Sequence, residues 1–335
     1  MKTLSFPSVI EANDYELQNA VQNLINGLKI YHNEDGYLVG NLALDEGLAP
    51  HKIVNSSPDE VDYQVLAKTS LLLMSQHINS PVTLTVGFPY ATYQRNMVKA
   101  QEYFKGEHEI LHETYSFNRS KKNKVRVEVE KVEVIPEIIG CGLSLRHDRK
   151  FGDRFFVASC GYGTFEGGLI NSNGIVERTL ISTHGMRYAV NLTMRELRKH
   201  YNLGLRTEHQ FDSSFQQGYI IIDRKRIDIT ELRKKFVHQY FTEVIAPALR
   251  NAWSDDDFLH SSNLVLTGGG AMLDELSSCF RSEFDGVLNV EIADDPLTRA
   301  AHGYMIWSSK NSSNIETSVG LDIGNANTVL SYYSE

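Results

Sequence analysis

Three glycine-rich turns in this sequence have the composition of loops that hold phosphate groups. They are DIGNANT at 322–328, SCGYGT at 159–164 and TGGG at 267–270, and each follows an apolar stretch. Glycine lets backbone amides approach a ligand closely, and amides in a tight turn suit phosphate oxygens. The carboxylate of Asp322 could also hold Mg²⁺ through water molecules. A single glycine-rich turn is more often only a turn, but three in one chain favour a nucleotide-binding protein.

The two best-known nucleotide motifs are absent from the sequence. Neither GxxxxGKS nor GxxxxGKT occurs, which excludes a P-loop. No GxGxxG follows a predicted strand with an acidic residue about 20 positions later, which argues against a Rossmann domain. The phosphate-binding chemistry must therefore come from a different arrangement of turns.

A rival motif, HEILH at 108–112, matches the zinc-binding pattern HExxH. On a helix, His108 and His112 would share a face and bind Zn²⁺ while Glu109 activates a water molecule. However, a glycine follows the preceding predicted helix, and the residues after it have the character of an extended strand. On a strand the glutamate faces away from both histidines. A zinc metallohydrolase is therefore the remote alternative.

Composition narrows the function classes further. The chain has 335 residues, enough for about two domains, and 41% of them are apolar. Its net charge of −9 argues against direct DNA binding, so the basic run at 119–126 is interpreted as an exposed hairpin tip. No apolar run approaches 18 residues, so no transmembrane helix is expected. Three cysteines without CxxC spacing favour a reducing cytoplasm; they are Cys141, Cys160 and Cys279.

Predicted strands and helices alternate along the chain, as in an α/β protein. Helical patterns occupy 62–78, 90–105, 136–148, 185–200 and 229–252. The polar stretch at 308–318 has the composition of a linker, and the hairpin sequence VGLDIGNANTVLSYYSE follows it at 319–335. Because a lone hairpin is not stable, these last strands must join a sheet formed by earlier residues.

The order of these segments resembles the actin-like ATPases of the ParM type, which include bacterial plasmid-segregation proteins and their archaeal relatives. The resemblance covers most of the chain, and the order of the segments is more specific than any one of them. The segments that carry it are LTVGFPYATYQRN (84–96), VEVIPEIIG (132–140), RFFVASCGYGTFEGGLI (154–170), THGMRYAV (183–190), GYIIIDRKRIDITELRKKF (218–236), NLVLTGGGAML (263–273) and LTRAAHGYMIW (297–307).

One segment occupies a different place in the chain from its place in the family. In the family the first phosphate loop opens the chain, whereas here the similar segment at 319–333 closes it, and residues 2–10 resemble what normally follows that loop. The chain therefore resembles a circularly permuted actin-like, ribonuclease-H-like α/β fold, with two domains around a nucleotide cleft. The expected boundaries are 1–135 plus 317–335 for domain I and 136–316 for domain II.

The resemblance implies ATP or GTP with Mg²⁺ as the cofactor and assigns roles to individual residues. The first domain would contact the phosphates through Asp322, Gly324, Asn325, Asn327 and Thr328. The second domain would close on them through Gly161, Gly163 and Thr164, and would approach the adenosine through Gly268, Gly269 and Gly270. Asp322 would hold Mg²⁺ through water, and Glu137 would orient the attacking water molecule.

Two charge-handling residues of the family are replaced in this chain. Ser159 stands where the family has an aspartate before the second phosphate loop, and Val329 stands where it has a lysine after the first. A hydroxyl cannot replace a carboxylate in organising Mg²⁺, and valine cannot neutralise phosphate charge. We therefore expect an ATPase with degenerate catalytic residues and weak hydrolysis.

The resemblance further implies a cytoplasmic filament protein for plasmid or DNA segregation. Its partners would be other copies of itself and a DNA-binding adaptor protein, with no direct membrane contact. The main alternative is a non-hydrolysing actin-like scaffold or assembly module.

Overall fold

The structure is a computed structural model that describes residues 1–17, 23–26, 28–52, 57–79, 81–116, 119–204 and 208–333. It divides into two compact units, of which unit 1 comprises Met1–Gly140 and Ala300–Glu335 and unit 2 comprises Cys141–Arg299. This division differs from the boundaries expected from the sequence in two segments. Residues 136–140 and 300–316 group with the first unit rather than with the second.

The strands and helices follow one another in the alternation that the sequence predicts. The strands are β1 (Lys2–Pro7), β2 (Val9–Ala12), β3 (Leu28–His32), β4 (Asp35–Val39), β5 (His51–Lys52), β6 (Val82–Phe88), β7 (Gly106–Ser116), β8 (Arg119–Pro136), β9 (Phe155–Cys160), β10 (Thr164–Asn171), β11 (Gly174–Ile175), β12 (Ile181–His184), β13 (Tyr219–Ile222), β14 (Lys225–Asp228), β15 (Asn263–Thr267), β16 (Asn289–Ile292), β17 (Ser318–Ile323) and β18 (Asn327–Tyr332). The helices are α1 (Asn41–Glu46), α2 (Val61–Met74), α3 (Tyr90–Phe104), α4 (Glu137–His147), α5 (Arg187–Arg198), α6 (Glu208–Gln217), α7 (Thr230–Tyr240), α8 (Ala246–Ala252), α9 (Asp255–Phe258), α10 (Asp274–Glu283) and α11 (Arg299–Asn311).

Unit 1 is built on a ten-stranded sheet in the order β1-β18-β17-β6-β8-β7-β3-β4-β2-β5. The last two strands of the chain lie inside this sheet, between β1 and β6. Leu330 of β18 pairs with Leu4 of the antiparallel β1, and Leu321 of β17 pairs with Val86 of the parallel β6. The prediction that the C-terminal hairpin joins the sheet of residues 3–10 is confirmed.

Helix α11 packs unusually close to its neighbours in unit 1 because glycines leave room for it. A Cβ atom on Gly320 of β17 would lie 2.2 Å from the carbonyl oxygen of Ala301, and one on Gly303 would lie 1.8 Å from that of Gly140. Both distances are far inside van der Waals contact, so these positions tolerate no side chain without movement of the backbone. The end of α11 is also fixed, since buried Ser308 donates a hydrogen bond to the carbonyl oxygen of Thr83 at 2.6 Å.

Unit 2 contains a smaller sheet in the order β11-β10-β9-β15-β16, with β12 also paired to β10. Strands β9, β15 and β16 are parallel, whereas β10 is antiparallel to β9. Strand β9 is buried along its whole length, which agrees with its apolar sequence FFVASC. Trp253 packs on Phe156 with ring centroids 4.4 Å apart and donates its indole N–H to the carbonyl oxygen of Thr179 at 2.9 Å.

Strands β13 and β14 form a separate two-stranded sheet in unit 2. Within the ranges that the structure describes, none of the helices is long and apolar enough to cross a membrane.

Candidate functional site

The turn between β17 and β18 is the first of the three glycine-rich turns. It closes with a hydrogen bond from the amide of Gly324 to the carbonyl oxygen of Asn327 at 3.1 Å. A Cβ atom at Gly324 would lie 2.8 Å from that oxygen and 3.9 Å from the carboxylate of Asp322. The glycine therefore keeps the turn tight and leaves space beside the carboxylate. Asn325 lies at the tip of the turn, where it is half-buried.

The junction between β1 and β2 holds this turn from one side. The backbone amide of Ser8 donates to the carbonyl oxygen of Ala326 at 3.0 Å, and its hydroxyl lies 2.9 Å from that of Thr328. Both Ser8 and Thr328 are buried. Because Asp322 pairs with Val329, Thr328 projects from the opposite face of the sheet to Asp322. The hydroxyl of Thr328 thus braces the turn against Ser8.

Ser8 is a residue that sequence reasoning missed. Its partners are some 320 positions away in the sequence, so no local spacing links them. The available signal was Pro7, which removes a backbone donor at the end of β1 and makes a break between two strands predictable.

Asp322 has a neighbour of the same charge in unit 1. Burial raises the pKa of Asp322 well above its usual range, and the nearby carboxylate of Glu137 raises it further. Glu137 is the first residue of α4, directly after Pro136. Val329, which pairs with Asp322 across the hairpin, is buried and brings no positive charge. Two carboxylates placed in this way repel each other unless a proton or a cation lies between them.

The second glycine-rich turn joins β9 to β10 in unit 2. The amide of Gly161 donates to the carbonyl oxygen of Thr164 at 3.0 Å and closes the turn. Residues 185–187, at the start of α5 and called the α5 segment here, then donate hydrogen bonds to three consecutive carbonyl oxygens of the turn. These bonds run from Met186 to Gly161 at 3.0 Å, from Arg187 to Tyr162 at 2.9 Å and from Gly185 to Gly163 at 3.1 Å.

This pattern orients the amide groups of the turn. In a trans peptide the N–H points away from the C=O of the same peptide unit. Since the carbonyl oxygens of Gly161 and Tyr162 point toward the α5 segment, the amides of Tyr162 and Gly163 point to the opposite side. Adjacent N–H groups directed outward from a tight turn form an anion-binding concavity.

The third glycine-rich turn contacts the second. Gly268 has φ +80°, and a Cβ atom there would lie 2.8 Å from the carbonyl oxygen of Cys160. A Cβ atom at Gly270 would lie 2.9 Å from the same oxygen, whereas one at Gly269 would approach Leu297 at 3.2 Å. Burial raises the pKa of the Cys160 thiol to about 12, so this cysteine acts as a small packing residue. The two turns of unit 2 thus form one continuous surface.

The predicted site residues therefore form two groups. Unit 1 contains Glu137, Asp322, Gly324, Asn325, Asn327 and Thr328. Unit 2 contains Gly161, Gly163, Thr164, Gly268, Gly269 and Gly270. Within each unit the structure brings the named turns together with their supports.

The HExxH segment at 108–112 lies on strand β7, as the sequence indicated, and not on a helix. His108 hydrogen-bonds the carbonyl oxygen of Phe104 at 2.8 Å, and exposed Glu109 pairs with Lys124 at 2.6 Å. A strand sets the glutamate on the opposite face to the two histidines. Across the described parts of the chain, no group of three or more His, Cys, Asp or Glu side chains could hold a metal ion. The geometry of an HExxH zinc site is absent.

The basic run at 119–126 lies on β8 in the long hairpin that β7 and β8 form. Its charge is partly neutralised across the strands, because Lys124 pairs with Glu109 and Arg126 lies 3.5 Å from both Glu107 and Glu109. This pairing agrees with an exposed hairpin, and residues 117 and 118 lie outside the described residues.

Comparison with known proteins identifies the fold. Residues 1–140 match the family model for the N-terminal domain of actin like proteins, and the sequence matches no curated protein. The archaeal actin homolog Ta0583 aligns at 16% identity with a TM-score of 0.70, covering 92% of this chain and 92% of that chain. Its complex with ADP aligns at 13% identity and 0.66, with the same coverage.

ParM proteins match equally well. A non-polymerisable quadruple mutant of pCBH ParM aligns at 19% identity with a TM-score of 0.72, covering 91% of this chain and 92% of that chain. The 15-stranded ParM filament from Clostridium botulinum aligns at 18% identity and 0.67, with the same coverage. The chain therefore has the actin-like fold of ParM and Ta0583, and its residues 1–140 match the N-terminal domain of actin like proteins.

Proposed function

We propose that this protein binds ATP or GTP with Mg²⁺ and assembles into filaments that act in plasmid or DNA segregation. The observation that carries the proposal is the turn at 161–164, in which the carbonyl oxygens of residues 161–163 accept hydrogen bonds from the α5 segment while the amides of Tyr162 and Gly163 point outward. Adjacent amides directed outward from a tight turn are suited to bind an anion such as a nucleotide phosphate. An ADP complex and a ParM filament among the structural relatives support the same conclusion.

The residues present fit a nucleotide with its metal ion. Gly324 leaves room beside the Asp322 carboxylate, and the pair of Asp322 and Glu137 gains stability from a nearby divalent cation. Mg²⁺ commonly takes only one or two carboxylates together with phosphate oxygens and water, so a three-carboxylate cluster is not needed. A bound nucleoside triphosphate would supply the γ-phosphate that a water molecule attacks.

Each turn has a distinct role in this proposal. Asp322 orders water around the cation, and the backbone of Gly324, Asn325, Asn327 and Thr328 surrounds the phosphates from unit 1. Gly161, Gly163 and Thr164 do so from unit 2, and Gly268, Gly269 and Gly270 let the adenosine or guanosine lie against the backbone.

Hydrolysis is expected to be weak in this account. Glu137 orients the attacking water, but Ser159 and Val329 leave the developing phosphate charge poorly compensated. Changing Ser159 to Asp should raise turnover, and changing Glu137 to Ala should lower it. Brisk hydrolysis by the unmodified protein would show that other residues carry these roles.

The filament structure of a ParM relative supports assembly of this protein into filaments. Head-to-tail contacts between copies do not close on themselves and so produce filaments. We propose that a DNA-binding adaptor links the filament to its cargo, in a cytoplasm that keeps the three cysteines as thiols. The competing function is a non-hydrolysing scaffold, which the same fold would support without nucleotide.

Circular permutation of the fold remains part of the proposal. Hairpin β17–β18 pairs with β1 and β6 although it ends the sequence. In the family that the sequence resembles, the similar hairpin opens the chain, which corresponds to placing residues 317–335 before Met1. A chain that joins these residues ahead of Met1 through a short linker should fold to the same structure.

Calorimetric titration of the whole protein with Mg²⁺ and either ATP or GTP tests nucleotide binding. Tyr162→Pro removes one outward amide, whereas Tyr162→Ala removes the side chain and keeps that amide. We expect the proline variant to bind about tenfold or more weakly and the alanine variant to bind nearly as the unmodified protein does. Equal affinity of the two variants would contradict the role of the turn, and no binding by the unmodified protein would favour the scaffold.

A further inference from the structure

Positive charge in this chain is concentrated in one part of unit 2. Residues 185–238 contain eleven lysines and arginines against six aspartates and glutamates, a net charge of +5 in a chain whose total is −9. All other residues together therefore carry −14. Such a separation of charge favours contact between surfaces of opposite sign.

Helices α5 and α7 bring the exposed cations of this part together. The two helices pack on each other, and Lys199 of α5 donates a hydrogen bond to the carboxylate of Glu196 at 2.7 Å. That bond lowers the pKa of Glu196, and the nearby charge of Lys235 on α7 lowers it further. We define the basic face by the exposed cations of both helices, which are Arg195, Arg198, Lys199, Lys234 and Lys235.

The basic face continues into a concave surface at the end of α5. A cavity of about 660 Å³ opens there, and Arg198, Lys199 and His200 are among the residues that line it. A cavity with such a lining suits an acidic segment that projects from a protein surface.

Unit 1 has a surface of the opposite sign. Residues 11–62 contain ten aspartates and glutamates against two lysines, of which Lys29 is buried. Burial raises the pKa of Tyr37 on β4, and the nearby carboxylates of Asp35 and Asp62 raise it further, so the β3–β4 turn lies close to the start of α2. We define the acidic edge by four exposed carboxylates of this region, which are Glu34, Asp35, Asp45 and Glu60.

We propose that the basic face of one copy binds the acidic edge of a second copy of this chain. The inference rests on the proposed function, since it requires that copies assemble. The two surfaces differ, so the contact is heterologous and each bound copy still offers one surface of each sign to a further copy. A second copy is the favoured occupant because every copy carries the acidic edge, at the same concentration as the basic face.

Reversing the charge of either surface tests this contact in the whole protein. The first variant makes the basic face acidic through Arg198→Glu, Lys234→Glu and Lys235→Glu. The second makes the acidic edge basic through Glu34→Lys, Asp35→Lys and Glu60→Lys. Sedimentation with Mg²⁺ and the nucleotide that supports assembly gives the critical concentration for filaments. Circular dichroism and nucleotide titration show that each variant is folded.

The matched controls change the same charge at exposed positions outside both surfaces. In unit 2 the control combines Arg149→Glu, Lys150→Glu and Arg281→Glu. In unit 1 it combines Glu102→Lys, Glu128→Lys and Glu316→Lys. Both controls should assemble nearly as the unmodified protein does, because only the net charge changes.

Each reversed variant alone should raise the critical concentration about tenfold or more, because like charges then meet across the contact. An equimolar mixture of the two should lower the critical concentration again. In the mixture, the acidified face of the first variant meets the new lysines of the second. The unaltered basic face of the second variant meets the unaltered acidic edge of the first.

The outcomes separate this inference from the proposed function. An unmodified protein that does not assemble overturns both. If the unmodified protein assembles and each folded variant assembles as well as its control, only this inference is overturned. Variants that fail alone and also fail as a mixture contradict a contact between opposite surfaces of two copies. Restoration by mixing supports the contact, because an effect within one copy would not depend on the other variant.

Discussion

The hydroxyl of Ser8 lies 2.9 Å from the hydroxyl of Thr328, although the two residues are near opposite ends of the sequence. Both side chains are buried, and the amide of Ser8 also holds the carbonyl oxygen of Ala326. The first glycine-rich turn is therefore positioned by the strand junction at the start of the chain. Its geometry depends on the sheet, and not only on its own glycine.

Removing both hydroxyls should lower the free energy of unfolding by less than the sum of the losses caused by removing each one alone. Ser8→Ala and Thr328→Val each leave a buried hydroxyl without its partner, so each should lower the free energy of unfolding by about 1–3 kcal/mol. The double variant should lose less than the sum of the single losses. Urea unfolding measures these values, with Ser5→Ala on the exposed side of β1 as control. Additive losses would show that the two hydroxyls do not interact.

A methyl group at Gly303 should destabilise unit 1. Gly303→Ala places a carbon atom 1.8 Å from the carbonyl oxygen of Gly140, so α11 or α4 must shift. Overpacking of this kind costs roughly 1–3 kcal/mol or more, although alanine by itself favours a helix. Thermal unfolding should show a lower melting temperature for Gly303→Ala than for Lys310→Ala, an exposed change on the same helix. An unchanged or higher melting temperature would mean that the helices do not approach so closely.

The acid stability of unit 2 should depend on Asp257. Hydrogen bonds from Arg178 and from Ser254 hold the pKa of this buried carboxyl below its usual value of 3.8. A carboxyl whose pKa is depressed by folding stabilises the fold above its unfolded pKa, and that contribution is lost as the pH falls toward the folded pKa.

The variant Asp257→Asn should therefore be less stable near pH 7 by roughly 1–3 kcal/mol, and its stability should fall less between pH 5 and pH 3. Asp256→Asn, a change at the exposed neighbouring position, is the control. The measurement is urea unfolding across this pH range. Parallel pH profiles for the unmodified protein and Asp257→Asn would contradict the assignment.

Local patterns predicted much of the fold from the sequence. The helix expected at 62–78 spans Val61–Met74, and the C-terminal hairpin lies within the first sheet as expected. The linker expected at 308–318 was wrong in its first part, because α11 continues to Asn311 and Ser308 is buried against β6. Small polar residues suit a linker, but they also suit a helix that packs closely on a sheet.

The supports of the candidate site could not be predicted in the same way. Ser8 contacts Thr328, and Ser159 pairs with Glu166, only because distant or adjacent strands meet in one register. Sequence patterns indicate that a strand exists and which of its residues are apolar, but they do not give its pairing partner. The turns were predictable from their glycines, whereas the residues that hydrogen-bond to them or pair beside them in the sheet were not.

Nucleotide-dependent assembly is tested most directly by sedimentation and electron microscopy of the protein with Mg²⁺ and ATP, with Mg²⁺ and GTP, and without nucleotide, over a range of concentrations. The account predicts filaments that form only with a nucleotide and that Tyr162→Pro does not form under conditions where Tyr162→Ala does. A protein that stays monomeric under all three conditions up to high concentration would contradict it, as would filaments that form equally well without nucleotide.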